Sequence, residues 1–242
     1  AQIARDDLVE TLRIVARSAA TGRVPWGNMY EFATASVLAG VIAYLVFALR
    51  APAVRRIGAF VLGPVVLGLV LIGLYLYAES GPLIAALRSD WLAVHVSIIS
   101  VSSGILLVSG VASILYLIKM RWAPTSSDDS ATTATRPGLG GAVRRVVEHL
   151  PSVEQLDRLA YKCVVIGFPL FGLGVICGAI WAEAAWGRFW GWDPKETVSF
   201  IAWVIYAAYL HARATAGWRS NAAAWINVAG FVAMLFNLFI IN

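Results

Sequence analysis

The sequence predicts an all-α, polytopic integral membrane protein with about six transmembrane helices and a tryptophan-rich external loop. Of its 242 residues, 60% are hydrophobic and only 14% are charged, whereas a soluble domain has roughly 45–50% apolar and about 25% charged residues. The apolar residues fall into blocks of about 20 residues, the length that crosses a hydrocarbon core of about 30 Å. Because backbone polar groups in lipid must pair internally, these blocks are predicted to be helices.

The chain is predicted to have two parts, an external arm over residues 1–25 and a membrane domain over residues 26–242. The arm carries apolar residues at the spacing of an amphipathic helix lying on the membrane surface. The six predicted spans lie near residues 30–49, 57–78, 92–118, 161–182, 194–212 and 223–241. Since the chain does not begin with Met and ends in an apolar run, we expect it to be the core of a longer protein.

Two connections of the membrane domain have distinctive compositions. Residues 121–158 have a middle rich in Ser, Thr, Gly and Asp, which is typical of a flexible loop. Residues 183–197, the tryptophan-rich loop, contain three Trp and one Phe within seven positions. So many aromatic side chains cannot all be buried in a short loop, and an exposed apolar patch usually marks a binding surface. We interpret it as a platform for a flat ligand, the alternative being an aromatic belt at the membrane boundary.

The distribution of basic residues predicts the topology. Most of them lie in the connections on one side of the membrane, at Arg50, Arg55, Arg56, Lys119, Arg121, Arg136, Arg144, Arg145, Arg158, Arg213 and Arg219. The positive-inside rule makes that side cytoplasmic and places the tryptophan-rich loop on the outer face, in a bacterial cytoplasmic membrane or, as the less favoured alternative, a thylakoid membrane. Because the basic residues sit at helix ends and form no stripe, a nucleic-acid partner is excluded.

The loop also contains a helix start. Asp193 is a strong N-cap, Pro194 suits the first helical position, and Glu196 stands three residues after the cap, as in a capping box. Asp193 is therefore predicted to begin the fifth span, and a direct contact with ligand is equally open.

Two of the three histidines fall within predicted spans. His95 follows Ser89-Asp90-Trp91, which is typical of a helix start, so it should lie near the outer surface, level with the tryptophan-rich loop. His211 lies 17 residues after Pro194, about 25 Å nearer the cytoplasmic face. Ionisable residues inside a membrane are rare and usually functional, and imidazole is a common ligand of metals, haem iron included. A planar metallocofactor accounts for these features better than an ion, whose path would need carboxylates along the spans.

The motif Trp186-Gly-x-x-Trp190-Gly-Trp192-Asp193-Pro194-Lys195-Glu196 resembles the tryptophan-rich "WWD" domain of haem-handling membrane proteins. The resemblance continues through Trp203, Tyr206, Tyr209, Leu210, His211 and Arg213. Two further stretches, Trp26-Gly-Asn-Met-Tyr30-Glu31 and Gly167-Phe168-Pro169-Leu170, are similar to the CcsA (ResC) family of system II cytochrome c biogenesis, whose relatives include CcmC and CcmF. The chain is identified as a member of this family from about residue 24 onward.

This resemblance implies a function and a set of site residues. Such a protein would act with a CcsB (ResB) membrane subunit as a cytochrome c synthetase, or haem lyase, which presents haem b at the outer face for attachment to the C-x-x-C-H motif of apocytochrome c. His95 would be an outer axial ligand of haem iron and His211 an in-membrane ligand. Trp186, Trp190, Trp192 and Asp193 would hold the porphyrin. The family's second outer His has no counterpart here, and no catalytic acid or base is expected.

Three other functions remain open at this point. The chain could bind and transport haem without ligating it, as CcmC does. It could be a b-type electron-transfer protein, although three histidines are few for the paired ligands which that function needs. It could also be a scaffold in which the Trp residues only anchor helices at the membrane boundary.

Overall fold

The computed structural model describes residues 27–50, 52–78, 88–122, 147–215 and 221–241. These residues form helices and turns, with no strand among them, so the predicted all-α fold class is confirmed. The α-helices are α1 (Met29–Arg50), α2 (Gly58–Leu71), α3 (Asp90–Trp122), α4 (Val153–Trp186), α5 (Pro194–Thr215) and α6 (Asn221–Phe239). A 3₁₀ segment precedes α2 and a π-helical turn follows it, at Pro52–Ile57 and Ile72–Leu76. The predicted arm, residues 1–25, lies outside the described part.

Five of the six predicted spans are helical segments long and apolar enough to cross a membrane. They are Met29–Arg50, Val54–Leu76, Asp90–Trp122, Val153–Trp186 and Asn221–Phe239. The remaining predicted span, residues 194–212, is the 22-residue helix α5, which is not among the five. Charged residues near both of its ends, including Lys195 and Arg213, lower its mean hydropathy.

Helix α4 begins before its apolar block, so the predicted loop 121–158 is too long at both ends. Residues 121 and 122 belong to α3, and residues 153–158 form the first turns of α4. Ser152 caps α4: its hydroxyl accepts from Gln155 N at 3.3 Å, and its own N–H donates to Gln155 Oε1 at 3.0 Å. This reciprocal capping box satisfies two backbone donors and stabilises polar helical turns that hydropathy alone does not reveal.

Glycines set the close packing of the central helix α3. Gly104 of α3 lies against the backbone of Gly40 in α1: a Cβ on Gly104 would lie 2.3 Å from Gly40 N and has no room, and a Cβ on Gly40 would lie 3.3 Å from Gly104 Cα. On its other side, α3 runs antiparallel to α4, so that Leu106 packs against Gly167 and His95 packs against Gly178. Small residues let membrane helices approach closely and gain van der Waals contact, which hydrophobic burial cannot supply in lipid.

A buried polar cluster joins α3, α4 and α6. Asn227 Nδ2 donates to Ser109 Oγ at 2.8 Å and to Ser113 Oγ at 2.7 Å. Ser109 Oγ in turn donates to the carbonyl of Ala160 at 2.9 Å. Interhelical hydrogen bonds in membranes contribute on average about 0.6 kcal/mol each, so the cluster mainly determines how the three helices fit together.

The two ends of the bundle differ in chemistry. At one end, Arg213 of α5 forms a bidentate ion pair with Asp157 of α4, with Arg213 Nη2 to Asp157 Oδ2 at 3.0 Å. At that end too, Lys119 Nζ donates to the carbonyls of Leu150 and Pro151 at 2.8 and 2.7 Å. The opposite end carries the tryptophan-rich loop, because α4 ends there and α5 begins. The basic end is the one that the positive-inside rule predicts to be cytoplasmic.

Candidate functional site

His95 is held in a groove on one face of α4. Its Nδ1 lies 2.7 Å from the carbonyl oxygen of Gly174, and a Cβ on Gly178 would lie 2.7 Å from its Cε1 atom. The ring of Trp181 lies nearly parallel to the imidazole, with centroids 6.3 Å apart and planes inclined by 11°. The three α4 residues stand at positions i, i+4 and i+7, which place them on one helix face.

Trp181 connects the histidine to the tryptophan-rich loop. Its ring packs edge-to-face on Trp186, with centroids 4.7 Å apart. Farther along the chain, Trp190 contacts Trp192 edge-to-face at 5.8 Å. Trp186 and Trp192 are 53% and 68% exposed, so the predicted exposed aromatic patch is present. Exposed rings of this size are available to contact a ligand, a lipid or a partner.

Capping at both helix ends shapes the tryptophan-rich loop. Gly187, at φ 70°, ends α4, and its N–H donates to the carbonyl of Glu183 at 2.8 Å. Trp192, at φ 56°, is the one described residue other than glycine in the left-handed region. Asp193 caps α5 as predicted, since its Oδ1 accepts from the N–H of Glu196 at 2.8 Å.

The predicted capping box is completed differently. The carboxylate of Glu196 accepts from the N–H of Gly191 at 2.7 Å and lies 3.6 Å from Arg188. Because the chain turns at Trp192, the N–H of Gly191, two residues before the cap, reaches this carboxylate. Glu196 therefore fastens the middle of the loop to the first turn of α5.

These elements line a partly open cavity of about 500 Å³, here called the His95 cavity. Its walls are mostly apolar and aromatic, and they come from the start of α1, from α3 and α4, from the tryptophan-rich loop and from the end of α6. The aromatic and imidazole side chains among its lining are Phe32, His95, Phe171, Trp181, Trp186, Phe189 and Trp190. A mostly apolar cavity with few polar groups is typical of a site for a small organic ligand.

The polar groups of the cavity lie mainly near the start of α5. Lys195 is the one Lys or Arg side chain that lines it, and its Nζ lies 3.8 Å from Met29 Sδ. Deeper in the wall, Asn237 Nδ2 donates to Ser199 Oγ at 2.7 Å. The cavity thus combines one imidazole and one ammonium with an aromatic lining, and its other polar side chains are Asn28, Ser103, Asp193, Glu196, Ser199 and Asn237. This arrangement suits a flat apolar ligand that carries a metal and a carboxylate.

The structure brings four of the six predicted site residues together. His95, Trp186, Trp190 and Asp193 line the His95 cavity. Trp192 does not line it: its ring packs on Trp190 and on Phe200, which is outside the lining. His211 is exposed on α5, about 24 Å along the helix from Lys195 at 1.5 Å per residue. Among the described ranges, no group of three or more His, Cys, Asp or Glu side chains could hold a bare metal ion.

Sequence reasoning missed several residues of the site. Trp181 was hidden inside an apolar span, although it stands five positions before Trp186. Gly174 and Gly178 have a four-residue spacing typical of close helix packing, but that spacing does not reveal which helix packs there. Lys195 was part of the quoted motif without an assigned role.

The chain is similar to proteins of cytochrome c assembly. The family model described as "Cytochrome C assembly protein" matches residues 26–242. A "Cytochrome c biogenesis protein CcsA" of Gloeobacter violaceus is 34% identical over 261 residues, covering 91% of this chain and 76% of that protein. A protein of the same name from Prochlorococcus marinus is 35% identical, and the match covers 96% of this chain and 77% of that protein. Another, from Parasynechococcus marenigrum, is 39% identical, and the match covers 64% of this chain and 53% of that protein. The chain therefore belongs to the CcsA family of cytochrome c assembly proteins, which serves cytochrome c maturation.

Proposed function

We propose that this protein binds haem b in the His95 cavity and presents it at the outer membrane face for covalent attachment to apocytochrome c. The observation that carries the proposal is the position of His95 in an aromatic cavity beside the tryptophan-rich loop. A porphyrin supplies four nitrogen ligands to its iron, so the protein needs to add only axial imidazoles. The cavity's single imidazole and flat aromatic walls fit such a ligand.

Each part of the cavity has a role in this proposal. His95 ligates the iron through Nε2, since its Nδ1 is engaged with a carbonyl. Trp186 and Trp190 pack on the porphyrin, and an aromatic contact contributes about 0.5–1.5 kcal/mol beyond burial. Lys195 attracts a haem propionate near the start of α5 by charge-assisted hydrogen bonding. Asp193 acts indirectly, because its cap fixes where α5 and Lys195 begin.

The protein's proposed contribution to the reaction is to position the haem vinyl groups. Each cysteine thiol of C-x-x-C-H adds across one haem vinyl group: the sulfur bonds to one vinyl carbon and a hydrogen is added to the other. This addition needs no oxidant. Holding the vinyl edge towards the thiols converts a two-molecule encounter into an oriented one, which is the usual contribution of protein around such a ligand. No side chain of the cavity is assigned as acid or base.

His211 is assigned to a second haem position in the membrane, on the route from the cytoplasmic side. It lies on the exposed face of α5, so its haem would be shared with a CcsB-type subunit. Haem would then reach His95 at the outer face.

The test is the visible absorption spectrum of the full-length protein, purified in detergent and reduced with dithionite. We expect a Soret band of imidazole-ligated haem, weakened in His95→Ala. Trp225→Leu serves as the control, because Trp225 is 62% exposed on α6 and is outside the cavity lining. Unchanged haem content in His95→Ala would overturn the assignment. Co-expression with a CcsB-type subunit and an apocytochrome then separates ligation, which gives covalent haem, from transport alone.

A further inference from the structure

We infer that the α4 groove formed by Gly174 and Gly178 positions His95 as an iron ligand, by fixing its tautomer and the setting of its ring. This inference rests on the proposed function, because it concerns how the proposed ligand is oriented. Gly178 also lines the His95 cavity, whereas Gly174 does not. Both are positioning residues that act through His95.

The tautomer follows from the partner of Nδ1. A backbone carbonyl oxygen can only accept a hydrogen bond, so at 2.7 Å from Gly174 O the Nδ1 of His95 must carry the hydrogen. In the neutral imidazole the lone pair is then on Nε2, the nitrogen left to bind iron. Metal-binding histidines commonly donate their other ring N–H to a carbonyl in this way, which orients the ring and raises its basicity.

The groove exists because position 178 has no side chain. A Cβ there would lie 2.7 Å from Cε1 and 2.8 Å from Nδ1 of His95, closer than nonbonded atoms approach. Gly178→Ala therefore forces the imidazole out of its present position and lengthens its bond to the Gly174 carbonyl.

The interface between α3 and α4 contains a matched control position, Gly167. Gly167 lies on the same packed face of α4, and a Cβ there would meet the side chains of Leu106, at 2.9 Å, and of Ile105, at 3.4 Å. Gly167→Ala perturbs the same helix pair about 16 Å away from position 178 at 1.5 Å per residue. A general loosening of α3 against α4 affects both variants, whereas displacement of His95 affects only Gly178→Ala.

The experiment measures binding of iron protoporphyrin IX and of metal-free protoporphyrin IX to the full-length protein in detergent, by tryptophan fluorescence quenching and absorption. Loss of an outer-shell partner of a metal ligand typically weakens metal binding about 10–100-fold. We expect Gly178→Ala to weaken binding of iron protoporphyrin by that factor, to lose the spectrum of imidazole-ligated haem and to keep binding of metal-free protoporphyrin. Gly167→Ala should retain all three properties, and His95→Ala with Gly178→Ala should bind no worse than His95→Ala alone.

A second measurement does not depend on Gly178→Ala being folded. In His95→Gly, added imidazole should restore the spectrum of imidazole-ligated haem, since its N–H can donate to the Gly174 carbonyl. 1-Methylimidazole has no N–H and should require at least about tenfold higher concentration.

The outcomes separate the two levels of the argument. Wild-type haem affinity and spectrum in Gly178→Ala, equal loss of both porphyrins, or equal rescue by the two imidazoles would overturn the positioning inference. If the wild type binds neither porphyrin, or His95→Ala leaves the haem spectrum unchanged, the proposed function itself fails.

Discussion

Removing the Glu196 carboxylate should open the tryptophan-rich loop and weaken porphyrin binding whether or not the porphyrin contains iron. The carboxylate accepts from Gly191 N–H at 2.7 Å and pairs with Arg188 at 3.6 Å. A hydrogen bond to a charged group contributes about 1.5–3 kcal/mol. The ion pair adds little, because the Arg188 side chain is 44% exposed. Glu196→Ala therefore removes about 2 kcal/mol from the loop conformation seen here.

That free energy sets a ceiling on the effect. If the ligand binds only the ordered loop, its apparent affinity scales with the fraction of molecules in that conformation. A loss of about 2 kcal/mol then weakens binding at most about 30-fold. Glu196→Gln keeps an acceptor for Gly191 but not the charge, and a neutral hydrogen bond is about half as strong. Its loss of about 1 kcal/mol corresponds to about fivefold.

The assay is fluorescence titration of the purified protein with metal-free protoporphyrin IX, which reports the platform without iron ligation. Glu183→Ala is the control, because it removes an exposed carboxylate from the other side of the same loop. Wild-type affinity in Glu196→Ala, or an equal loss in Glu183→Ala, would refute the proposed restraint by Glu196.

Three further predictions follow from other contacts. In a titration, Lys195→Gln should weaken binding of protoporphyrin IX several-fold but leave binding of its dimethyl ester unaffected. The control Lys162→Gln, at an exposed site on α4, should change neither affinity. An equal loss of affinity for the ester would contradict the contact between Lys195 and a porphyrin carboxylate. Gly104→Ala should lower the melting temperature in detergent far more than Gly63→Ala, because a Cβ at position 104 meets the backbone of Gly40 and a Cβ at position 63 meets nothing within 4 Å. Equal melting temperatures of the two variants would contradict the close α1–α3 crossing. Asp157→Ala should destabilise the protein by about 3–5 kcal/mol, because it leaves the buried guanidinium of Arg213 without its carboxylate. Chemical denaturation measures this loss. A change below about 1 kcal/mol, the value of an exposed ion pair, would contradict the burial of this pair.

The positions of the helices were predictable because the bilayer fixes the length of an apolar block. Helix boundaries that fall within polar segments were less predictable. Residues 153–158 were predicted as loop because Glu154, Asp157 and Arg158 are charged, yet the capping box of Ser152 makes them helical. Local capping chemistry is readable in the sequence, but hydropathy dominates the interpretation of a membrane chain.

The parts of the site that are made of rare or clustered residue types were predictable from the sequence. Histidine is scarce in this chain and aromatic residues are concentrated in one loop, so His95 and the tryptophan-rich loop stood out. The groove at Gly178 did not, because glycine is common in membrane helices. Its function depends on an antiparallel register that places position 178 beside position 95, and one sequence carries no record of that pairing. The role assigned to Trp192 stays a prediction, since its ring lies outside the cavity lining.

His95 and His211 stand in opposite environments, and this difference separates two kinds of site. His95 is seated among three residues of α4 and faces a cavity that is lined by several helices of this chain. His211 lies on the exposed face of α5, the same face that presents Ile201 and Val204. An imidazole directed at lipid is costly, so polar groups in a membrane usually meet a partner or a polar cavity. Haem binding at His95 should therefore require this chain alone, whereas binding at His211 should require a second membrane subunit packed on α5.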